Sequence, residues 1–205
     1  MCRVIMCYFC DSMTQHKHYK LYKPYGYISQ LLSNDKRQTR KKKFLSELYD
    51  FPEGIMAVGR LDEKSEGLLL MTTDGKLSDT INRSGIEKEY YAQVDGAITD
   101  DAILEMAAGV EIGFDGKKYQ TKPCEVKRIE EIPEFPDRGK KLRDARHGPT
   151  SWISITIKEG KFRQVRKMTS AVGFPTLRLV RIRVGKIKIK GVEAGDVIPL
   201  DQLSP

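Results

Sequence analysis

Short apolar runs and two-residue alternations, broken by turn residues, recur along most of the chain. Residues 19–22 (YKLY) and 27–32 (YISQLL) read as two short strands split by the turn signal Lys23-Pro24-Tyr25-Gly26. Residues 36–43 read as an exposed loop, and 44–49 as a short helix ended by Phe51-Pro52-Glu53-Gly54. The apolar runs 55–58 and 68–72 predict buried strands, with the polar stretch GRLDEKSEG between them. Asp74-Gly75 turns the chain into a helix near 76–82, and alternation returns at 87–94. Residues 99–108 predict a helix with Thr99 as N-cap and Gly109 at the stop position. Asp115-Gly116 marks a hairpin turn within 110–119, and 122–129 supplies another strand. Residues 130–150, with Pro133, Pro136 and Pro149, lack periodicity and read as a loop or insertion. Residues 152–158 alternate cleanly, Gly160 leads into a helix over 163–172, and strands are predicted at 177–184, 186–189 and 197–200. Hairpins and short helices in this order predict an α+β fold with a mainly antiparallel sheet. We expect one domain over residues 19–205, preceded by an unstructured tail at 1–18.

Charge narrows the class of partner. The 205 residues carry a formal net charge of +8 and a sequence pI near 9.2, which points to a polyanion, nucleic acid first. The charge is uneven: from Lys158 to Lys190 eleven Lys/Arg stand against one acid, Glu159, and KRQTRKKK at 36–43 holds six basic residues in eight. A merely solvated surface is the alternative for either cluster. No apolar run approaches the roughly 20 residues that span a bilayer, and no export or lipidation signal is present, so a cytoplasmic protein without membrane partners is expected. Cys2, Cys7, Cys10 and Cys124 lack the spacing of a metal site. Met13 could serve as the natural start, leaving the first twelve residues dispensable. Nothing demands more than a monomer.

The common catalytic signatures are missing: no Walker A loop, no GxGxxG after a strand and no HExxH. His16, His18 and His147 lie in the tail or the proline-rich loop, so carboxylates and arginines become the candidates. In GRLDEKSEGLLL, Asp62 sits between Gly59 and Gly67, which permit close backbone approach or positive φ. The pattern alone does not separate a site from a surface turn in which Asp62 caps and Arg60 pairs with it. In EGKFRQVRKM, a helix would place Arg163, Arg166 and Lys167 within one turn, with Phe162, Val165 and Met168 toward the core. Spacing does not prefer one cation, nor exclude a helix that only grips phosphates.

Five segments, YKPYGYIS (22–29), VGRLDEKSEGLLLMTTDG (58–75), KEYYAQV (88–94), GKFRQVRKM (160–168) and FPTLRLVRIRVG (174–185), resemble in order the motifs of the bacterial rRNA pseudouridine synthases. The group joins synthase A, for small-subunit rRNA, with synthases B, E and F, for large-subunit rRNA; KPYG and FPTLRL suit the E type. The resemblance implies the synthase catalytic fold, a mainly antiparallel mixed sheet flanked by short helices around a central cleft. It makes Asp62 the catalytic aspartate, Tyr90 the tyrosine stacked on the target base and Arg166 the partner of the aspartate. Lys88 matches the basic residue before that tyrosine, and Leu177 or Leu179 the apolar wall of the pocket. Arg60 is expected to hold the flipped nucleotide or its phosphate, and Lys23, Arg163 and Lys167 to contact RNA. The implied reaction breaks the N1–C1′ bond of a uridine, turns the uracil and rejoins it through C5. It has no redox step, so no metal or cofactor is expected. The implied partner is structured RNA, most simply 23S rRNA or a pre-ribosomal particle. Many members begin with a small RNA-binding domain that the roughly eighteen residues before the first motif cannot hold, so RNA contact is expected at 36–43 and the C-terminal basic strands. A silent RNA-binding or assembly factor, a synthase for 16S rRNA or tRNA, and a duplex-DNA binder are the alternatives.

Overall fold

The computed structural model describes residues 15–140, 142 and 145–205. Cys2, Cys7, Cys10 and Met13, with most of the expected tail, lie outside the described residues. The first strand is β1 (His18–Lys23), and within the expected tail Lys17 already exchanges bonds with Thr73. Helix α1 (Lys36–Lys41) and a 3-10 turn (Leu45–Glu47) follow, then β2 (Met56–Val58), β3 (Glu66–Thr72), α2 (Gly75–Arg83), β4 (Lys88–Asp95) and α3 (Asp100–Ala108). The hairpin β5 (Glu111–Phe114) and β6 (Lys117–Gln120) precedes β7 (Glu125–Ile129) and β8 (Thr150–Ile157). The chain closes with α4 (Gln164–Ala171), β9 (Thr176–Val184), β10 (Ile187–Lys188) and β11 (Val197–Leu200).

Nine strands form one sheet in the order β11-β1-β3-β9-β4-β8-β7, with β2 beside β3 and β10 beside β9. Every pairing in it is antiparallel except β3 with β9, which run parallel through Glu66↔Val180 and Gly67↔Arg181. That one parallel junction seats the Glu66 end of β3 against a strand formed more than a hundred residues later. All seven residues of β3 are buried, as its unbroken apolar run requires of a strand covered on both faces. One face packs Leu69 and Met71 with Leu21, Ala92, Ile155, Met106, Val165 and Met168, under α3 and α4. The other packs Leu68 and Leu70 against Ile81 of α2, Val184 and Leu203. The caps of two helices follow the sequence: Asp74 accepts from the Leu77 N–H and Thr99 from the Ala102 N–H. No helix among the described residues is long and apolar enough to cross a membrane.

Two expected elements differ. Residues 27–32 form no strand beyond a single bridge from Tyr27 to Lys43. Their bonds go to the 43–45 segment and to a loop, Ile28 N–H to Lys43 O and the Gln30 carbonyl to the Leu45 N–H. Within 36–43, the expected loop is helix α1, begun where Thr39 N–H and Oγ1 both donate to the Asp35 carbonyl. Arg40 and Lys41 fall in its last turn, where cations favour the helix dipole.

Candidate active site

The connection between β2 and β3 is pinned at several points. Gly59 turns it with φ of 71°. The buried Ser29 hydroxyl donates to the Leu61 carbonyl and accepts from the Leu61 N–H, both at 2.9 Å, so one side chain satisfies both backbone groups of the residue before Asp62. Ser65 N–H donates to the Asp62 carbonyl, Gly26 N–H to the Glu63 carbonyl, and Lys42 pairs with the Glu63 carboxylate. At the far end Gly67 has φ of 102°, and a Cβ there would lie 2.4 Å from the Arg181 carbonyl oxygen. Only glycine lets β3 approach β9 this closely. Next to it, Glu66 and Arg178 form a buried two-bond pair at 3.1 and 2.7 Å across the two strands.

The second wall is the start of α4. The Gln164 side chain is buried; its Oε1 accepts from the Lys161 N–H and its Nε2 donates to Glu159. Glu159 also accepts from Tyr119 Oη and the Lys122 N–H, so the one acid in the basic stretch ties the β5–β6 hairpin to the helix entrance. Arg166 points back from α4 to the loop and donates to Lys64 O at 2.7 Å, Ser65 Oγ at 3.3 Å and Thr176 O at 3.3 Å. Its Nε stands 3.9 Å from Asp62 Oδ2, and Arg163 Nη1 stands 3.8 Å from the same oxygen. Burial first, then the neighbouring Arg163 charge, pull the Arg166 pKa below the ordinary arginine value, while Asp62 opposes the shift. The carboxylate therefore faces two guanidinium groups.

The third wall comes from the sheet. The β4–β9 register shifts between Glu89 and Tyr90, a bulge that re-aims the tyrosine. Tyr90 lines an open cleft of about 450 Å³ together with Arg60, Asp62, Arg163, Val165 and Leu179. An aromatic face, an apolar floor, a carboxylate and cations at the rim can hold a flat polar base beside an anionic backbone.

The structure thus gathers Asp62, Tyr90, Arg60, Arg163 and Leu179 around one opening, sets Arg166 behind Asp62 at 3.9 Å without bordering that opening, and separates the others. Leu177 does not line the cleft; its carbonyl accepts from Arg138, and Leu179 takes the wall position. Lys23, expected at the RNA surface, is fully buried and donates to the carbonyls of Pro24 and Tyr27, so RNA cannot reach it. Burial lowers its pKa to about 7, with Glu66, Asp62 and Glu63 acting in the opposite sense. Lys88 is turned to the Ile86 carbonyl, its pKa lowered by burial and by Arg181, and it does not border the cleft. Lys167 lies on a neighbouring groove between α4 and the hairpin, bonded to Gly113 O at 2.6 Å. Sequence reading missed Ser29, Gln164, Glu159 and the Glu66–Arg178 pair. Only Glu159 carried a signal, as a lone acid in a basic run.

Residues 17–171 match the family described as RNA pseudouridylate synthase. The ribosomal large subunit pseudouridine synthase E of Xanthomonas campestris is 38% identical over 177 residues, covering 85% of this chain and 90% of the relative. The protein of the same description from Vibrio vulnificus is 36% identical over 187 residues, covering 90% of this chain and 75% of the relative. The crystal structure of a pseudouridylate synthase superposes with a TM-score of 0.69 at 26% identity, over 90% of this chain and 70% of that one. With five ordered motifs, four of which meet at one cleft, the chain belongs to the RNA pseudouridylate synthase family and is an isomerase that acts on RNA.

Proposed function

We propose that the protein converts a uridine of large-subunit rRNA to pseudouridine in the cytoplasm, acting as a monomer with Asp62 as catalytic carboxylate. The observation that carries the reading is the placement of Asp62 in a cleft between two arginines and beside Tyr90. Relatives named as large-subunit synthases at 36–38% identity support the substrate class. Tyr90 stacks on the uracil, an interaction worth roughly 1–3 kcal/mol per base. The target must leave its stack to reach the cleft floor, and Arg60 and Arg163 at the rim meet the backbone on either side. Arg166, fixed by three acceptors, faces the Asp62 carboxylate and keeps it oriented. The N1–C1′ bond breaks, the held uracil turns, C5 bonds to C1′, and C5 gives up its proton to solvent while N1 takes one up from solvent. One proton leaves and one returns, no electrons are gained or lost, and the net change is an isomerisation.

The test is an assay of wild type and Asp62→Asn on rRNA from cells lacking the gene, with carbodiimide adducts read by primer extension. Wild type is expected to restore one site, and the variant to lose at least about a thousandfold in rate. A variant as active as wild type removes Asp62 from the chemistry. RNA binding without any new pseudouridine at high protein concentration would favour an assembly factor.

A further inference from the structure

Two non-glycine residues among those described have positive φ: Asp115, which turns a hairpin, and Arg163. Arg163 precedes α4 with φ of 53° and ψ of 33°, and its side chain makes no capping bond. A residue with a Cβ is disfavoured there, and such outliers concentrate at functional sites. Glycine would fit the same backbone without strain, so what arginine adds is its guanidinium. That group reaches Asp62 at 3.8 Å, beyond hydrogen-bonding range, with 39% of the side chain exposed. Arg166 approaches the same oxygen at 3.9 Å with 10% exposed and three acceptors holding it in place. One carboxylate thus has a fixed cation below it and a loosely held one at the rim.

We propose that Arg163 is a positioning residue that works by exchange, an idea that rests on Asp62 as the catalytic carboxylate. In the free enzyme it shares Asp62 with Arg166. When RNA enters, a phosphate next to the flipped uridine takes the Arg163 guanidinium. Asp62 is then left with the fixed Arg166 alone, its second lone-pair face open to the nucleotide. An exposed ion pair is weak, so a phosphate that offers bidentate contact wins the competition. Backbone grip and release of the carboxylate become one event, and the carboxylate stays covered until RNA is in place.

Wild type, Arg163→Ala, Arg163→Gly and Arg163→Lys are to be assayed on deproteinised large-subunit rRNA from cells lacking the gene, from about 50 to about 200 mM salt. Arg163→Gly keeps the left-handed turn and removes only the side chain, which separates the guanidinium from backbone strain. Exchange predicts that KM rises about tenfold in both the Ala and Gly variants. Their log KM against log salt slope becomes shallower by about one, and KM rises more than kcat falls. Lysine restores the salt slope but not the full affinity. Wild-type KM and slope in Arg163→Gly overturn the proposal. So does a loss confined to kcat with the slope unchanged, which makes Arg163 a permanent partner of Asp62. Should wild type form no pseudouridine on this RNA, the functional reading fails separately. The salt slope of RNA binding by filter retention, wild type against Arg163→Gly, then still decides the phosphate contact.

Discussion

At the scale of single residues, Ser29 holds the Asp62 loop and Lys23 holds the 24–27 turn beside it. Lys23 replaces water with two carbonyls, Pro24 O at 3.0 Å and Tyr27 O at 2.6 Å. Burial still lowers its pKa from 10.5 to about 7. The sign of the resulting linkage is definite. Between about pH 7 and the unfolded value near 10.5 the unfolded chain holds a proton that the folded chain has released, so stability rises with pH. The wild-type unfolding free energy is expected to climb between about pH 7 and about pH 9, approaching about 1.4 kcal/mol per pH unit. Lys23→Met should lose that climb, and the difference between the two proteins isolates this site from Cys124 and the tyrosines. Urea denaturation across that window measures it; parallel curves would show that Lys23 does not titrate there. Ser29 contributes differently, through a hydroxyl that satisfies both backbone groups of Leu61. Asp62 thus inherits its position from a residue on a segment that precedes it by 33 places in the chain and is not itself a strand.

Among the elements, the junction of β3 with β9 decides whether the site exists. Gly67→Ala places a Cβ 2.4 Å from the Arg181 carbonyl oxygen and 2.8 Å from its nitrogen, both backbone atoms that cannot swing aside. A loss of at least about 2 kcal/mol is expected, read as a drop in Tm. Gly26→Ala, with φ of 87° and open space around the new atom, should cost no more than about 1 kcal/mol. Equal losses would mean that φ alone, and not the strand contact, makes Gly67 necessary. Alternation and capping residues were enough to read β1, β3, β4, β8, β9, α2 and α3, because those signals are local. Segment 27–32 escaped that reading because its bonds are set by Leu61 and the 43–45 backbone, which no window around it contains. The motifs located Asp62, Tyr90 and Arg166, yet the same motifs contain Lys23 and Lys88, which packing turns inward. Between Leu177 and Leu179, identical in type, the register of β9 against β4 made the choice, pairing Ala92 with Leu179.

Across the whole molecule, charge is sorted by what each cation already holds. In α1 and the residues after it, Lys42 is committed to Glu63 and Lys43 lies over the Tyr27 ring, whereas Lys36, Arg40 and Lys41 are exposed. Because Glu63 follows Asp62, this basic arm is joined to the Asp62 loop by one ion pair. Replacing Lys36, Arg40 and Lys41 by alanine is expected to weaken rRNA binding and to lower the salt slope by about two, at roughly 0.7 per phosphate contact on single strands. Filter retention over a salt series measures it, and an unchanged slope would take α1 off the RNA path.

The single parallel junction also sets when the enzyme can first act. Asp62 and Tyr90 belong to the first half of the chain, whereas the guanidinium bonded to the Lys64 carbonyl lies 102 residues further on. Domains emerge N-terminus first at about 5–20 residues per second, and contacts this remote form late. A chain still in synthesis therefore carries its basic arm and its carboxylate before it has Arg163, Arg166, Leu179 or β9. The cleft is therefore complete only when β9 has joined β3 and β4, and the last wall to arrive is the one that carries Leu179.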